Sequence, residues 1–193
     1  MAEKLRLFFA VPLADDLRDV AVQLQEAVAK SAGHEARVRW VERENLHLTL
    51  KFVGDTAEED VEKLVQIAEK VAASCSGTSL QVSGVGCFPA RGAPRVIWAG
   101  VFRDSPELNE LAARLDKALQ DAGLAEADRN PFATHFTLGR VKDRQCGELS
   151  SAVRRLGEEP VGEMKVDHFV LMSSELTPQG PIYSEQARFE LSG

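Results

Sequence analysis

Two short segments share a pattern that constrains the fold more than any other feature of the sequence. They read LHLTL at residues 46–50 and THFTL at residues 134–138. In each, a histidine precedes a threonine by two positions and a leucine follows, although the chain contains only four histidines. The two histidines lie 88 residues apart, which is too wide for a solenoid repeat and predicts two related lobes of one fold.

Strand geometry divides the first segment into two faces. Residues i and i+2 of a strand share a face, so His47 and Thr49 point one way while Leu48 and Leu50 point the other. The second segment repeats this division. Each strand then presents an imidazole and a hydroxyl, roughly 6.6 Å apart along the backbone, and its other face is apolar and belongs in the core.

The polar face of the second segment carries His135 and Thr137. If the two lobes bring the polar faces together, one neutral imidazole can accept a proton from water while the other, protonated, donates a proton to a leaving oxygen. The threonine hydroxyls can donate hydrogen bonds to non-bridging oxygens where negative charge builds up. The arrangement suits cleavage of a phosphodiester without a metal ion.

Two other interpretations of the histidines compete with catalysis. A single His-x-Thr on a strand is usually a half-buried histidine that bonds to a backbone group, but the duplication favours function. A metal site built from His47 and His135 needs a third ligand, and the neighbouring carboxylates form no recognisable set such as HExxH. We therefore expect no metal and no other cofactor. We expect His34 and His168, which lack the threonine, to be structural.

The periodicity of apolar residues predicts an α+β fold in a single domain that spans residues 1–193. No low-complexity segment or Gly/Ser linker marks a boundary. Thr56 and Glu59 form a plausible capping box for the second helix. Strands are predicted over residues 5–12, 37–40, 46–53, 80–88, 96–102, 134–141, 165–171 and 182–191, and helices over 14–30, 56–74, 106–122 and 146–156.

Composition excludes several classes of protein. Hydrophobic content of 44% and mean hydropathy of −0.18 describe an ordinary globular chain, and the apolar run at residues 7–13 is too short for a signal peptide, so we expect a cytoplasmic monomer. Three cysteines without CxxC spacing (Cys75, Cys87 and Cys146) predict reduced thiols.

The charge of the chain also limits its partners. A net charge of −7 argues against binding duplex DNA through a broad basic face. A local cluster of basic residues could nevertheless hold a small anion or an RNA end, or could consist of solvated surface charges. Its members would be Arg91, Arg95, Arg129, Arg140, Lys142 and Arg144.

The paired motifs and their surroundings resemble the 2H phosphoesterase superfamily. The segments RLFFAVPL, RWVERENLHLTLKFVG, PFATHFTLGRV and GPIYSEQARFEL are similar to its bacterial and archaeal RNA 2′,3′-cyclic phosphodiesterases, formerly called 2′-5′ RNA ligases. The resemblance implies two pseudo-symmetric lobes of antiparallel sheet with outer helices, a central cleft, and hydrolysis of a terminal 2′,3′-cyclic phosphate of RNA to a 2′-phosphate. It also implies that His47 protonates the departing 3′ oxygen, that His135 activates water, and that Thr49 and Thr137 contact the phosphate.

Three further residues follow from the resemblance as candidates for substrate binding. Phe52 and Arg140 each lie five residues after their histidine, where related enzymes place an aromatic side chain against the base and a cation near the phosphate. Strict alternation would put both on the core face; a bulge at Gly139 could return Arg140 to the cleft, whereas Phe52 is more typical of core. Tyr183, the only tyrosine, suits either a ligand contact or a packing role.

Other functions remain open at this point. The chain could be a non-catalytic module that binds RNA or nucleotides, or a 2H enzyme for another substrate, such as a 2′-5′ linked oligonucleotide or a cyclic ADP-ribose phosphate. Reverse 2′-5′ ligation is also compatible with the motifs. An ATP-dependent ligase is disfavoured, because GVG at residues 84–86 lacks the third glycine of a dinucleotide fingerprint and no P-loop is present.

Overall fold

The structure, a computed structural model, describes most of the chain. The described residues are 4–32, 37–101, 105–128, 130–142, 147–157, 160–178 and 180–192. The predictions for His34, Arg129, Arg144 and Cys146 therefore lie outside them.

These residues form nine strands, four α-helices and a short 3-10 turn at Arg43–Asn45. The strands are β1 (Lys4–Pro12), β2 (Val38–Trp40), β3 (His47–Ala57), β4 (Thr78–Phe88), β5 (Val96–Val101), β6 (His135–Val141), β7 (Pro160–Val166), β8 (His168–Leu176) and β9 (Pro181–Glu190). The helices are α1 (Asp15–Ala32), α2 (Glu58–Ala72), α3 (Pro106–Asp121) and α4 (Gly147–Arg155).

The strands build one curled antiparallel sheet of two matching halves. Its order is β7-β4-β5-β6-β3-β1-β8-β9, and β2 pairs with β6. The two motif strands, β3 and β6, meet in the middle and pair there through Leu48 and Phe136. The predicted α+β class with two pseudo-symmetric lobes is confirmed, and the lobes share one sheet through this narrow junction.

The two faces of the sheet differ in character. Alternate residues of β1, such as Leu7 and Phe9, are buried in the main core together with the apolar faces of the helices. Phe8 and Ala10 point to the opposite face, where Tyr183 packs against their small cluster. Because α1 packs with α4 and α2 with α3 on the core side, the second face is left for the motif histidines.

The third helix follows its sequence signals closely. Ser105 caps it by accepting a hydrogen bond from the Leu108 amide at 3.2 Å, and Pro106 occupies the first turn. Gly123, with φ of +69°, lies just beyond its end. Within the described ranges, no helix is long and apolar enough to cross a membrane.

The capping box predicted at Thr56 is wrong. Strand β3 continues through Ala57, because Gly54 adopts φ of +92° and the residues after it still pair with β1. Thr56 is therefore a buried strand residue, and its hydroxyl donates to the Gly54 carbonyl oxygen at 3.2 Å.

The single strand predicted over residues 165–171 is also wrong, because the chain divides at Asp167 into β7 and β8. These strands pair with β4 and β1, in opposite halves of the sheet. The apolar pattern alone could not reveal that the chain changes halves at that point.

Candidate active site

Each motif strand contains a β-bulge at the leucine that ends the motif. In the first, Thr49 pairs with Ala10 and Lys51 with Phe9, so the register skips Leu50. A bulge adds one residue to its strand and reverses the inward and outward alternation beyond it. Lys51 is consequently only 1% exposed, whereas the next residue, Phe52, is 60% exposed.

The second motif repeats this irregularity. Thr137 pairs with Trp98 and Gly139 with Ile97, so the register skips Leu138. Gly139 is buried and Arg140 is exposed, in the same order as Lys51 and Phe52.

Strict alternation therefore fails beyond each motif: the expectation that Phe52 lies in the core is wrong, whereas a bulge exposes Arg140 as expected. Both side chains leave the sheet on the open side, Phe52 as well as Arg140. The bulge that turns Arg140 outward is at Leu138 rather than at Gly139. Nothing within either motif marks the bulge, because a bulge is defined by the register with the partner strand.

His47 is held by hydrogen bonds at both ring nitrogens. Nδ1 lies 2.7 Å from the Asn45 carbonyl oxygen and Nε2 lies 3.1 Å from Thr49 Oγ1. A carbonyl oxygen can only accept, so in the neutral ring the proton lies on Nδ1 and the Thr49 hydroxyl donates to Nε2. Burial lowers the pKa of His47 below 6.5; the bond to Asn45 opposes this shift, and the positive charge of Arg140 adds to it.

His135 is oriented in the same way. Its Nδ1 lies 2.7 Å from the Ala133 carbonyl oxygen. Ala133 precedes His135 by two residues, just as Asn45 precedes His47. Donation from Nδ1 directs the lone pair of the neutral ring onto Nε2. Both imidazoles are therefore set to exchange a proton through the same atom.

The pairing of β3 with β6 brings the two polar faces together. Leu48 lies opposite Phe136 in an antiparallel pair, and both side chains are buried in the core. The histidine and the threonine on either side of each therefore lie on the opposite face of the sheet. This register sets the His47 end of one motif beside the Thr137 end of the other. The effect of the Arg140 charge on the pKa of His47 reflects the same proximity across the junction.

Aromatic side chains flank each imidazole. The first wall consists of Phe8, Tyr183 and Phe52: the rings of Phe8 and Tyr183 lie 5.0 and 5.3 Å from His47, and Phe52 lies 6.0 Å from Phe8. Burial raises the pKa of Tyr183, against the opposing charges of Arg140 and Arg6, so its phenol is neutral at physiological pH.

The second wall consists of Phe88 and Trp98, whose rings lie 5.1 and 6.2 Å from His135. Neither residue was predicted from the sequence, and neither was Phe8. Phe8 and Trp98 lie on strands that pair with a motif strand, and Phe88 lies on the next strand beyond. Only the order of the strands in the sheet reveals these positions.

The family model described as LigT like Phosphoesterase matches residues 11–98 and 101–183.

The chain belongs to the LigT-like phosphoesterase family.

Relatives of similar length support this membership. An RNA 2′,3′-cyclic phosphodiesterase of Archaeoglobus fulgidus is 38% identical over 187 residues, which is 96% of this chain and 100% of the relative. One of Methanothermobacter thermautotrophicus is 36% identical over 190 residues, covering 97% and 100% of the two chains. The family predicted from the paired motifs is thus confirmed.

Solved structures agree with the fold. A crystal structure of a Thermus thermophilus protein matches with a TM-score of 0.80 and 30% identity over 96% of this chain and 97% of the other. The crystal structure of E. coli LigT complexed with 3′-AMP matches with a TM-score of 0.80 and 25% identity over 99% and 100%. A LigT-like protein of this shape therefore binds a nucleotide.

Positive charge gathers near the second motif of this LigT-like chain. Arg39 of β2 lies opposite Arg140 of β6. Arg91 is exposed in the loop between β4 and β5, and the Arg95 carbonyl accepts from the Val141 amide at 2.9 Å, which ties that loop to β6.

Lys51 supports the LigT-like site from beneath the sheet. Its ammonium donates to Asp116 of α3, to Asp128 at 2.9 Å and to the Glu126 carbonyl oxygen at 2.7 Å. Burial disfavours the charged form, but the two carboxylates outweigh burial and raise the pKa of Lys51. The lysine thereby connects the first motif strand to the segment that leads into the second motif.

The remaining predictions concern residues away from the motifs. His168 Nδ1 lies 2.7 Å from Asp167 Oδ1 at the start of β8. Cys75 and Cys87 are free thiols. Among the residues that the structure describes, no group of three or more His, Cys, Asp and Glu side chains is arranged to hold a metal ion.

Proposed function

We propose that this protein hydrolyses the 2′,3′-cyclic phosphate at the 3′ end of RNA to a 2′-phosphate, with His47 and His135 as the acid and base and without a metal ion. The observation that carries the proposal is the pairing of the motif strands at Leu48 and Phe136, which gathers both imidazoles on one face. The relatives named as RNA 2′,3′-cyclic phosphodiesterases and the nucleotide bound to E. coli LigT support the substrate class.

The reaction needs one proton accepted and one donated. His135 accepts a proton from water through Nε2 as the water oxygen bonds to phosphorus. The bond from phosphorus to the 3′ oxygen breaks on the opposite side, and protonated His47 gives its Nε2 proton to that oxygen. The product keeps its phosphate on the 2′ oxygen, and each imidazole ends in the protonation state in which the other began.

The neighbouring side chains stabilise the transition state in this scheme. Thr49 and Thr137 donate hydrogen bonds to the non-bridging oxygens, and Arg140 supplies positive charge on the same face. Thr49 Oγ1 lies 3.1 Å from His47 Nε2, and protonated His47 donates to this oxygen, which leaves the hydroxyl proton of Thr49 for the phosphate.

The assignment of the acid to His47 follows the resemblance described above, and one property of the site supports it. The lowered pKa of His47 makes its imidazolium a stronger acid. This favours proton transfer to the ribose 3′ oxygen, which is a poor leaving group without a proton.

Product analysis in excess chelator tests this function. An RNA oligonucleotide that ends in a 2′,3′-cyclic phosphate is incubated with the protein and EDTA, and 2′- and 3′-phosphate products are separated. We expect turnover to the 2′-phosphate at the same rate with and without chelator. A 3′-phosphate product, or loss of turnover with EDTA, contradicts the mechanism, and saturable binding without product identifies a binding module instead.

A further inference from the structure

Each bulge of the motif strands has a buried polar side chain beside it. The described residues include four buried polar side chains, and two of these, Lys51 and Gln25, lie at the bulges. Lys51 directly follows the first bulge. Gln25 of α1 reaches the second bulge, because its Nε2 donates to the Leu138 carbonyl oxygen at 2.9 Å. Helix α1 thus contacts the backbone of the second motif at the residue that the register skips.

The same amide also binds the segment that leads to the first motif. Gln25 Nε2 donates its second hydrogen to the Val41 carbonyl oxygen at 2.9 Å. Val41 follows the last residue of β2, and its own amide donates to the Leu138 carbonyl oxygen at 2.9 Å. Gln25 therefore fastens the end of β2 to the bulge, at the point where the chain leaves the sheet toward His47.

A bulge needs such a partner more than a regular strand does. Its extra residue is left out of the ladder and the strand bends there, while a buried carbonyl without a partner is costly. The Leu138 carbonyl oxygen has two lone pairs, and it accepts one hydrogen bond from Val41 and one from Gln25. Because α1 lies on the core side of the sheet, Gln25 holds the bulge without occupying the face that carries His135.

The direction of Arg140 depends on this bulge. Leu138 and Gly139 are both buried and Arg140 is exposed, an order that strict alternation does not allow. Gly139 has no side chain whose packing could fix the strand between them. The direction in which Arg140 leaves the sheet is therefore set by the backbone hydrogen bonds at Leu138.

We infer that Gln25 is a positioning residue for Arg140: it holds the bulge at Leu138 in the form that directs the guanidinium toward the phosphate. This inference rests on the proposed function, in which Arg140 supplies positive charge to the transition state. Gln25 makes no contact with the substrate in this role. Its effect on the reaction must pass through Arg140, and this dependence can be measured.

A double-mutant cycle between Gln25 and Arg140 measures the dependence. The quantity is kcat/KM for hydrolysis of adenosine 2′,3′-cyclic phosphate by the wild type, Gln25→Met, Arg140→Met and the double variant. Methionine has nearly the length of glutamine and removes both donors. We expect Gln25→Met to lower kcat/KM roughly tenfold when Arg140 is present, because a group displaced by about 1 Å loses much of its effect. In the Arg140→Met background the same change should lower kcat/KM by less than about twofold.

Two further variants separate positioning from stability. Ser105→Ala removes another buried hydrogen bond, the one that the Ser105 hydroxyl accepts from the Leu108 amide at the start of α3. It should lower the midpoint of urea denaturation, as Gln25→Met does, and leave kcat/KM within about twofold of wild type.

Gln25→Asn keeps a polar amide but is one methylene too short to reach both carbonyl oxygens. It carries the same cycle if Gln25→Met does not fold. We expect a fall in kcat/KM of at least about threefold, which again disappears in the Arg140→Met background.

Three results would overturn the positioning role. In the first, the Gln25 variants are as active as wild type. In the second, they lower kcat/KM by the same factor with and without Arg140. In the third, Ser105→Ala lowers kcat/KM as much as Gln25→Met does. Each leaves the proposed hydrolysis standing, whereas a wild-type protein that does not turn over the cyclic phosphate refutes the proposed function itself, and this inference with it.

Discussion

The two halves of the site share a backbone design and differ in the side chains placed on it. In both, a histidine Nδ1 lies 2.7 Å from the carbonyl oxygen two residues upstream, and the leucine three residues downstream forms a bulge. The residue after the bulge is buried and the next is exposed in each half. The two halves thus share the part of the motif that orients the imidazole.

The differences begin just beyond the motif. The buried position is Lys51 in one half and Gly139 in the other, and the exposed position is Phe52 in one and Arg140 in the other. The aromatic residue on the His47 side is suited to contact a nucleobase. The arginine, which faces the junction, is suited to contact a phosphate. The two halves of the backbone are therefore alike, whereas the side chains beyond the bulges differ.

Removing either imidazole should have the largest effect on the reaction. We expect His47→Ala and His135→Ala each to lower kcat for cyclic phosphate hydrolysis by roughly 10²–10⁴-fold, the usual contribution of a general acid or base. The double variant should lose far less than the product of the two, because the residues act as a unit. Steady-state kinetics on adenosine 2′,3′-cyclic phosphate measures all three.

His168→Ala is the control for these variants, since this histidine bonds to Asp167 outside the motifs. It should keep kcat within a few-fold of wild type. If one motif histidine tolerates alanine as well as His168 does, the site does not use two imidazoles.

Arg140 should be next in effect, and its removal should also change the pH dependence. We expect Arg140→Met to lower kcat/KM by roughly 10–100-fold, because a charge-assisted bond to the phosphate is lost. Burial and then Arg140 lower the pKa of His47, so in the free protein the acid loses its proton as pH rises through a value below 6.5. Removing the arginine raises that pKa and should move the limb of the kcat/KM profile that reports His47 to higher pH.

A profile in which neither limb moves in Arg140→Met, or in which a limb moves to lower pH, would show that Arg140 does not act on an essential His47.

The buried positions should affect stability more than chemistry. We expect Lys51→Met to reduce the free energy of unfolding by roughly 1–3 kcal/mol, less than for a fully buried pair because Asp116 and Asp128 are partly exposed. The raised pKa of Lys51 means that its contribution is fully present below pH 10.5 and is lost only as pH rises through the raised value. Urea denaturation at pH 7 measures the difference.

Gly139→Ala is the matching change in the other half. Its β-carbon would lie 2.6 Å from Val38 Cγ1 and 2.8 Å from Trp40 Cε3, so we expect a loss of about 1–3 kcal/mol from overpacking. Lys63→Met, at an exposed lysine paired with Asp60, should change stability by less than about 0.5 kcal/mol. A Lys51 variant as stable as the Lys63 variant would remove the support assigned to the buried ion pair.

The sequence predicted the parts of this molecule that depend on local pattern. The paired motifs indicated the family, the α+β class and the face that carries His47 and His135, because alternation holds within the five residues of each motif. Helix α3 followed from its apolar spacing and from Gly123 at its end.

The rest depends on strands that are distant in the chain. The burial of Lys51 and the exposure of Phe52 require a bulge, which is defined only by the partner strand β1. The second wall requires the order β4-β5-β6, which sets Trp98 opposite Thr137. Single-sequence patterns contain no information on such pairings.

The division of labour between the two histidines can be tested most directly with a substrate whose leaving group needs no acid. In a 2′,3′-cyclic phosphate with sulfur in place of the 3′ oxygen, the departing thiolate is stable without a proton, whereas attack by water still needs a base. The measurement is hydrolysis of this analogue by His47→Ala and His135→Ala. With His47 as acid and His135 as base, the sulfur substrate should restore His47→Ala to within about tenfold of wild type and leave His135→Ala impaired by roughly 10²-fold or more. Equal rescue of both variants, or rescue of His135→Ala alone, would contradict the assignment.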